Sequence, residues 1–203
     1  MMMKKISIAF VLLVAVVAMS LKPVSTYTTK PDEFGMKYQE VTVKTADEVN
    51  LKAWVFRPEK KSGEVVVISH DGEGNMENMI ELASYFVSMG INVVTYDYRG
   101  YGESDDFKIN ESFYMYAQFE KDLDAMIKYA KSMVNIKRVY LYGKGMGGGL
   151  TMAKGAVSRG ISKIVVDSPY DDLNSLQQRK AAQGEDVKIP LAYNKESIEP
   201  TYA

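Results

Sequence analysis

The stretch YGKGMGGGL, Tyr142–Leu150, lies between an apolar run, RVYLY, and a segment that reads as a helix. Its spacing is that of a nucleophile elbow, G-x-S-x-G, in which the central serine attacks a carbonyl carbon. Gly143 and Gly147 hold the outer glycine positions, and Gly145 stands where the serine would be. An elbow serine sits in a strained backbone conformation that costs about 1–3 kcal/mol and is tolerated for its chemistry. Glycine adopts such a conformation at little cost. The sequence therefore keeps the shape of the turn without its hydroxyl.

Serine chemistry also needs a base to take the proton and an acid to orient that base. The only histidine is His70. It falls in SHDGEGN, residues 69–75, a Gly-rich turn of the kind that can aim a backbone N–H at a developing oxyanion. A structural role suits His70 better than that of a base. Lys144 is next to the elbow, but a solvated lysine is protonated at neutral pH. Ser168 lies in an SP turn with no base in obvious reach. Asp97 and Asp167 end apolar runs, as many catalytic acids do, yet they have no second histidine to orient.

The elements that must position these residues follow from periodicity. YQEVTVKT and VNLKAWVFRP alternate apolar and polar residues about a turn-like ADE, which predicts an antiparallel pair with one buried face. EVVVIS, INVVTYDY, RVYLYG and SKIVVDS are short continuous apolar runs, the pattern of parallel strands covered on both faces. Between them lie helix-period stripes: Met79, Leu82, Ala83, Phe86 and Met89, then Tyr116, Phe119, Leu123, Met126, Ile127 and Ala130. Gly90 and Gly160 fall where helices should stop. DDLNSLQQRKAAQ predicts a further helix capped by Asp171 or Asp172. Strand and helix in alternation predict an α/β fold with right-handed crossovers.

The bulk composition narrows the partners. The chain has 203 residues, with 46% apolar and 25% charged residues, and its net charge is −1. That suits one folded domain and gives no footprint for nucleic acid. There is no cysteine, so disulfides and thiolate metal sites are excluded, and no metal or other cofactor is expected. MMMKKISIAFVLLVAVVAMSL has two lysines followed by an apolar run from Ile6 to Leu21. It reads as a secretory signal cut after Ser20, and the rival reading is an uncleaved membrane anchor. Sixteen helical residues span only about 24 Å, short of a bilayer core of about 30 Å. Either way the domain is expected outside the cytoplasm, periplasmic or extracellular, or held at the membrane. The expected organisation is a signal or anchor over 1–20, a linker over 21–33 and one domain over 34–203.

Four stretches in order, SHDGEGN, DYRGYGES (Asp97–Ser104), YGKGMGG and DSPYDDL, resemble the α/β-hydrolase family from about Phe34 to Leu173. The likeness is to exported or anchored serine hydrolases with an H-G-N-x-G-N oxyanion loop, a D-Y-R-G-Y-G-x-S loop, a Y-G-x-S-x-G-G elbow and an E-S-P segment. The resemblance implies an α/β-hydrolase fold, a mostly parallel sheet with an N-terminal antiparallel pair. It implies hydrolysis of carboxylic ester, thioester or peptide-like bonds without a cofactor. It places oxyanion donors at the backbone N–H groups of Gly72 and Met146. His70, Asp97, Arg99, Gly100, Gly143 and Gly147 match motif positions, whereas Asp71 replaces the usual glycine after the histidine. The family's acid and histidine come from the ends of two later strands, and IEPTYA reads as the lead-in to the first of them.

The expectation is therefore a truncated pseudo-hydrolase with no intact triad. Its partners would be a small molecule in the vestigial cleft, or a second copy along the open edge left by SKIVVDS. The alternatives are an active esterase, lipase or peptidase using a non-standard residue or a partner chain, and a gene remnant.

Overall fold

A computed structural model describes residues 21–60 and 62–203. The signal or anchor expected over 1–20 lies outside the described residues. Among those described, no helix is long and apolar enough to cross a membrane.

In chain order the elements are β1 (Lys22–Pro23), β2 (Tyr38–Lys44), β3 (Asn50–Phe56), β4 (Glu64–Ser69), β5 (Glu73–Gly74), α1 (Ile80–Ser88), β6 (Asn92–Tyr96), α2 (Phe119–Ser132), β7 (Arg138–Lys144), α3 (Gly145–Val157), β8 (Ile161–Asp167), α4 (Leu173–Ala182) and α5 (Lys195–Ile198). Six strands form one sheet in the order β2-β3-β6-β4-β7-β8. β2 and β3 are antiparallel, with Val41 opposite Ala53, and β3 is antiparallel to β6. β6, β4, β7 and β8 run parallel. The continuous apolar runs of β4 and β6 are thus strands buried on both faces, whereas β8, expected to be covered in the same way, lies at the end of the sheet with no fully buried residue; the alternating runs are the antiparallel pair.

The stripe on α2 is the expected one: Phe119, Leu123, Met126, Ile127 and Ala130 are all buried. Asp122 is buried among them, a charge on an apolar stripe that calls for a partner. Most of the first stripe holds as well: residues 76–79 form a 3-10 turn before α1, and Met79, Leu82, Ala83 and Phe86 pack in one cluster with Met76 and Ile80. Met89 lies past the helix end and is 63% exposed. Gly90 and Gly160 follow α1 and α3 with φ of +81° and +75°, the left-handed form that ends a helix. α4 is capped by Asp172, whose side chain accepts from the N–H of Ser175 at 2.8 Å.

Residues 21–33 are not a free linker. Leu21 is fully buried, and β1 pairs in parallel with β5. The N–H groups of Thr28 and Thr29 donate to Glu77 at 2.7 and 3.0 Å. The segment is a strap across the loop that follows β4. It holds because it hides an apolar side chain and satisfies its own backbone. At the other end of the chain, α5 and the residues after it pack on α3. The Tyr170 hydroxyl donates to the carbonyl of Ile198, and the N–H of Thr201 to that of Asp171 at 3.2 Å.

Candidate functional site

The elbow is made where β7 runs into α3. Gly145 has φ +53°, so the turn has the left-handed backbone that its spacing predicts. A Cβ on Gly147 would overlap the carbonyl of His70, so only glycine lets the helix come this close to the end of β4. Gly143 is buried in the same contact, against Gly147 and Thr151.

What faces the elbow is Asp71. A Cβ on Gly145 would lie 3.0 Å from the Cβ of Asp71. The Asp71 carboxylate pairs with Lys144 Nζ at 2.9 Å and accepts from the N–H of Glu73 at 3.2 Å. It stands beside the N-terminus of α3, where backbone N–H groups lack intrahelical acceptors and favour negative charge. Hydrogen bonding to Asp71 raises the pKa of Lys144, so this lysine stays protonated and is not a base.

The oxyanion loop is turned inward. The N–H of Gly72 donates to Nδ1 of His70 at 3.2 Å. The carbonyl of Gly72 accepts from Lys22 N–H at 2.9 Å and from the Tyr101 hydroxyl at 3.1 Å. A Cβ on Gly72 would lie 2.9 Å from Leu21 Cδ2 and 3.2 Å from Met146 Cε. Leu21 and Met146 thus pack against Gly72. His70 is buried, with ring centroids of Tyr98 and Tyr101 at 4.7 and 5.2 Å. Burial pushes its pKa down to about 4, so it is neutral at pH 7 and acts as an acceptor for the loop.

The DYRG loop is structural. The Arg99 guanidinium donates to Asp122 at 2.9 Å through Nε and to Asp47 at 2.9 and 3.0 Å. It ties the loop to α2 and to the β2–β3 turn. The Arg99 hydrogen bonds hold the Asp47 carboxyl well below the usual carboxylate range. Burial raises Asp122 to about 6, opposed by Arg99. Asp97 is buried and accepts from the Met76 N–H at 2.7 Å and from the Tyr27 hydroxyl of the strap. Burial raises its carboxyl to about 7. Gly100 turns the loop, and its N–H donates to the carbonyl of Asp105 at 2.9 Å. Ser168 takes φ +52° after β8 and donates to its neighbour Asp167 at 2.8 Å. No nitrogen base accompanies it among its hydrogen-bond partners.

The structure thus brings Gly72, His70, Gly145 and Met146 together and sets Asp97 and Arg99 in separate buried networks. Sequence reasoning missed Leu21, Tyr27 and the pairing of Asp71 with Lys144. The one available signal was Asp71 itself, an acid where a glycine was expected. A groove of about 510 Å³ lies elsewhere, between the strap and α1, lined by Thr28, Phe34, Met36, Glu77, Ile80 and Glu81 among others.

The profile of the serine aminopeptidase S33 family (Hydrolase_4) matches residues 60–189, well over half of the chain. The chain belongs to the α/β-hydrolase family. Among similar proteins are an uncharacterized membrane protein of Saccharomyces cerevisiae and the protein bem46 of Schizosaccharomyces pombe. The first is 28% identical over 121 residues, 58% of this chain and 40% of the relative; the second is 24% identical over 152 residues, 72% and 49%. The polyketide transferase grgF of a Penicillium species is 26% identical over 165 residues, 80% of this chain and 55% of the relative. The fold is shared with an esterase of Pyrococcus furiosus at a TM-score of 0.67 and 22% identity, over 80% of this chain and 61% of the esterase. The chain spans about half the length of the curated relatives it matches.

Proposed function

We infer that this α/β-hydrolase-family chain does not hydrolyse by the family's route and that its elbow is kept as a structural turn. The observation that carries the reading is the pair at the elbow: Gly145 in the nucleophile's place, with the side chain of Asp71 against it. The Gly72 N–H engaged by His70, and Leu21 and Met146 closing on Gly72, support it further. They favour a binding role at the surface over a small molecule held at the elbow. Export, or anchoring through residues 1–20, belongs to the same reading and rests on Lys4, Lys5 and the apolar run after them.

The test is turnover of short and medium acyl esters and of aminoacyl amides by the purified chain. The expected result is no rate above the uncatalysed one. Saturable turnover that survives repurification would overturn the reading.

A further inference from the structure

Asp97 is a carboxyl group shut in without a cation. It follows β6 and is fully buried. One oxygen accepts from the Met76 N–H at 2.7 Å and the other from the Tyr27 hydroxyl. A Cβ on Gly102 would overlap both that second oxygen and the Tyr27 hydroxyl, so the pair sits hard against the Gly102 backbone. The nearest charges are of its own sign: Glu103 on its own loop and Glu77 on the 3-10 turn before α1 both disfavour its ionised form. The cations around it are engaged elsewhere. Lys52 on β3 pairs with Glu103 at 3.7 Å, Lys30 on the strap with Glu40 at 3.0 Å, and Arg99 with Asp47 and Asp122.

The cover over this carboxyl is the strap. Tyr27 lays its ring against Trp54, with centroids 4.8 Å apart, and turns its hydroxyl to Asp97. Its neighbours are held by other groups. The Val24 N–H donates to the carbonyl of Gly74 at 3.0 Å, the Val24 carbonyl accepts from the Gly102 N–H at 3.0 Å, and Thr28 and Thr29 donate to Glu77. A carboxylate with two donors and no cation is costly away from water, whereas its neutral form is tolerated there. Lifting the strap lets water reach the charge. Proton binding at Asp97 and docking of the strap therefore favour each other.

We propose that residues 21–29 are a proton-controlled cover: the strap is held down while Asp97 carries its proton and opens more readily as Asp97 ionises, drawing Leu21 off Gly72 and Tyr27 off Trp54. Burial raises the Asp97 carboxyl from 3.8 to about 7. Docking is therefore strongest below pH 3.8, weakens as pH rises through about 7, and levels off above it. His70 changes charge at about 4, below most of that range. Asp122, raised to about 6, is bound to Arg99 and makes no hydrogen bond to the strap. The device does not depend on whether the chain hydrolyses anything.

The experiment is amide hydrogen exchange on the full chain in one fixed amount of nonionic detergent, from about pH 5.5 to 8.5, expressed as protection after correction for the intrinsic rate at each pH. Peptides over 21–30 report the strap, and those over β4 and β6 report the whole fold. Strap amides are expected to be less protected than β4 and β6 at every pH, and to lose about tenfold or more of their protection between pH 5.5 and 7.5. Asp97→Asn keeps an acceptor for the Met76 N–H and a neutral partner for Tyr27, so it should hold the strap with protection that no longer falls with pH. Tyr27→Phe keeps the ring on Trp54 and takes a donor from the ionised carboxylate, so its loss with rising pH should be larger than that of the wild type. Strap protection that is level across the range, strap amides that exchange only together with β4 and β6, the wild-type slope persisting in Asp97→Asn, or a Tyr27→Phe loss no larger than the wild type's would each overturn the proposal.

Discussion

Asp71 stands against Gly145, its Cβ 3.0 Å from the point where a side chain at the elbow would begin. The residue that would crowd a serine and the residue that removed it face each other. Each makes the other easier to keep. Without a Cβ at 145 the acid has room, and with the acid paired to Lys144 at 2.9 Å the mouth of the elbow is already occupied.

Restoring the serine should therefore not restore activity. Gly145→Ser puts a side chain into a φ of +53° and against Asp71, and should destabilise the fold by about 1–3 kcal/mol. Urea unfolding and ester turnover check both halves. A stable, active variant would show that a base and an acid are within reach after all.

Arg99 is the keystone of the DYRG loop, not a ligand of the site. Arg99→Met leaves Asp122 buried and unpaired on the apolar face of α2, and should cost about 3–5 kcal/mol. The measurement is the urea midpoint at constant m-value. A loss below about 1 kcal/mol would mean that Asp122 finds another partner.

The strap is part of the domain. Leu21 is fully buried against Gly72, so Leu21→Ala should cost about 2–5 kcal/mol and speed proteolysis within residues 21–30. An unchanged midpoint would show that the strap docks only weakly.

Two buried groups set opposite pH slopes. Burial raises Asp97 from 3.8 to about 7, so its protonated form is favoured in the fold. Its contribution is full below pH 3.8 and is lost as pH rises through about 7. His70 is lowered from 6.5 to about 4, so its contribution is present above pH 6.5 and lost as pH falls through about 4. Asp97→Asn should lessen the decline toward pH 7, leaving the part set by Asp122, which burial raises to about 6, and should leave the acid-side decline in place. Denaturant midpoints from pH 3.5 to 8 measure both limbs. Parallel curves for wild type and variant would refute the assignment.

The legible part of this protein was the part written in short-range pattern. Val65–Ile68 by unbroken apolarity, and Val93–Tyr96 by apolarity broken only at Thr95, announce covered parallel strands, and Val41 and Val43 announce a half-buried strand by alternation. The elbow's glycines were readable because a turn and a close approach each demand a missing Cβ. The first helical stripe failed only at Met89, which lies past the end of α1, a boundary that apolar spacing does not fix. Tyr27 and Leu21 were not readable as site neighbours. Leu21 meets the loop after β4 and Tyr27 meets Asp97 after β6, each across about fifty residues of chain or more, and a polar run carries no local sign of its docking partner. Asp122 was more open to inference, since a carboxylate inside an apolar stripe requires a cation.

The most direct test of the account is labelling of the full chain with a fluorophosphonate, followed by intact mass and peptide mapping. The account predicts no covalent adduct, because Gly145 carries no hydroxyl and Ser168 has only an aspartate beside it. A stoichiometric adduct on any serine, abolished by heat denaturation and by replacing that serine with alanine, would contradict it.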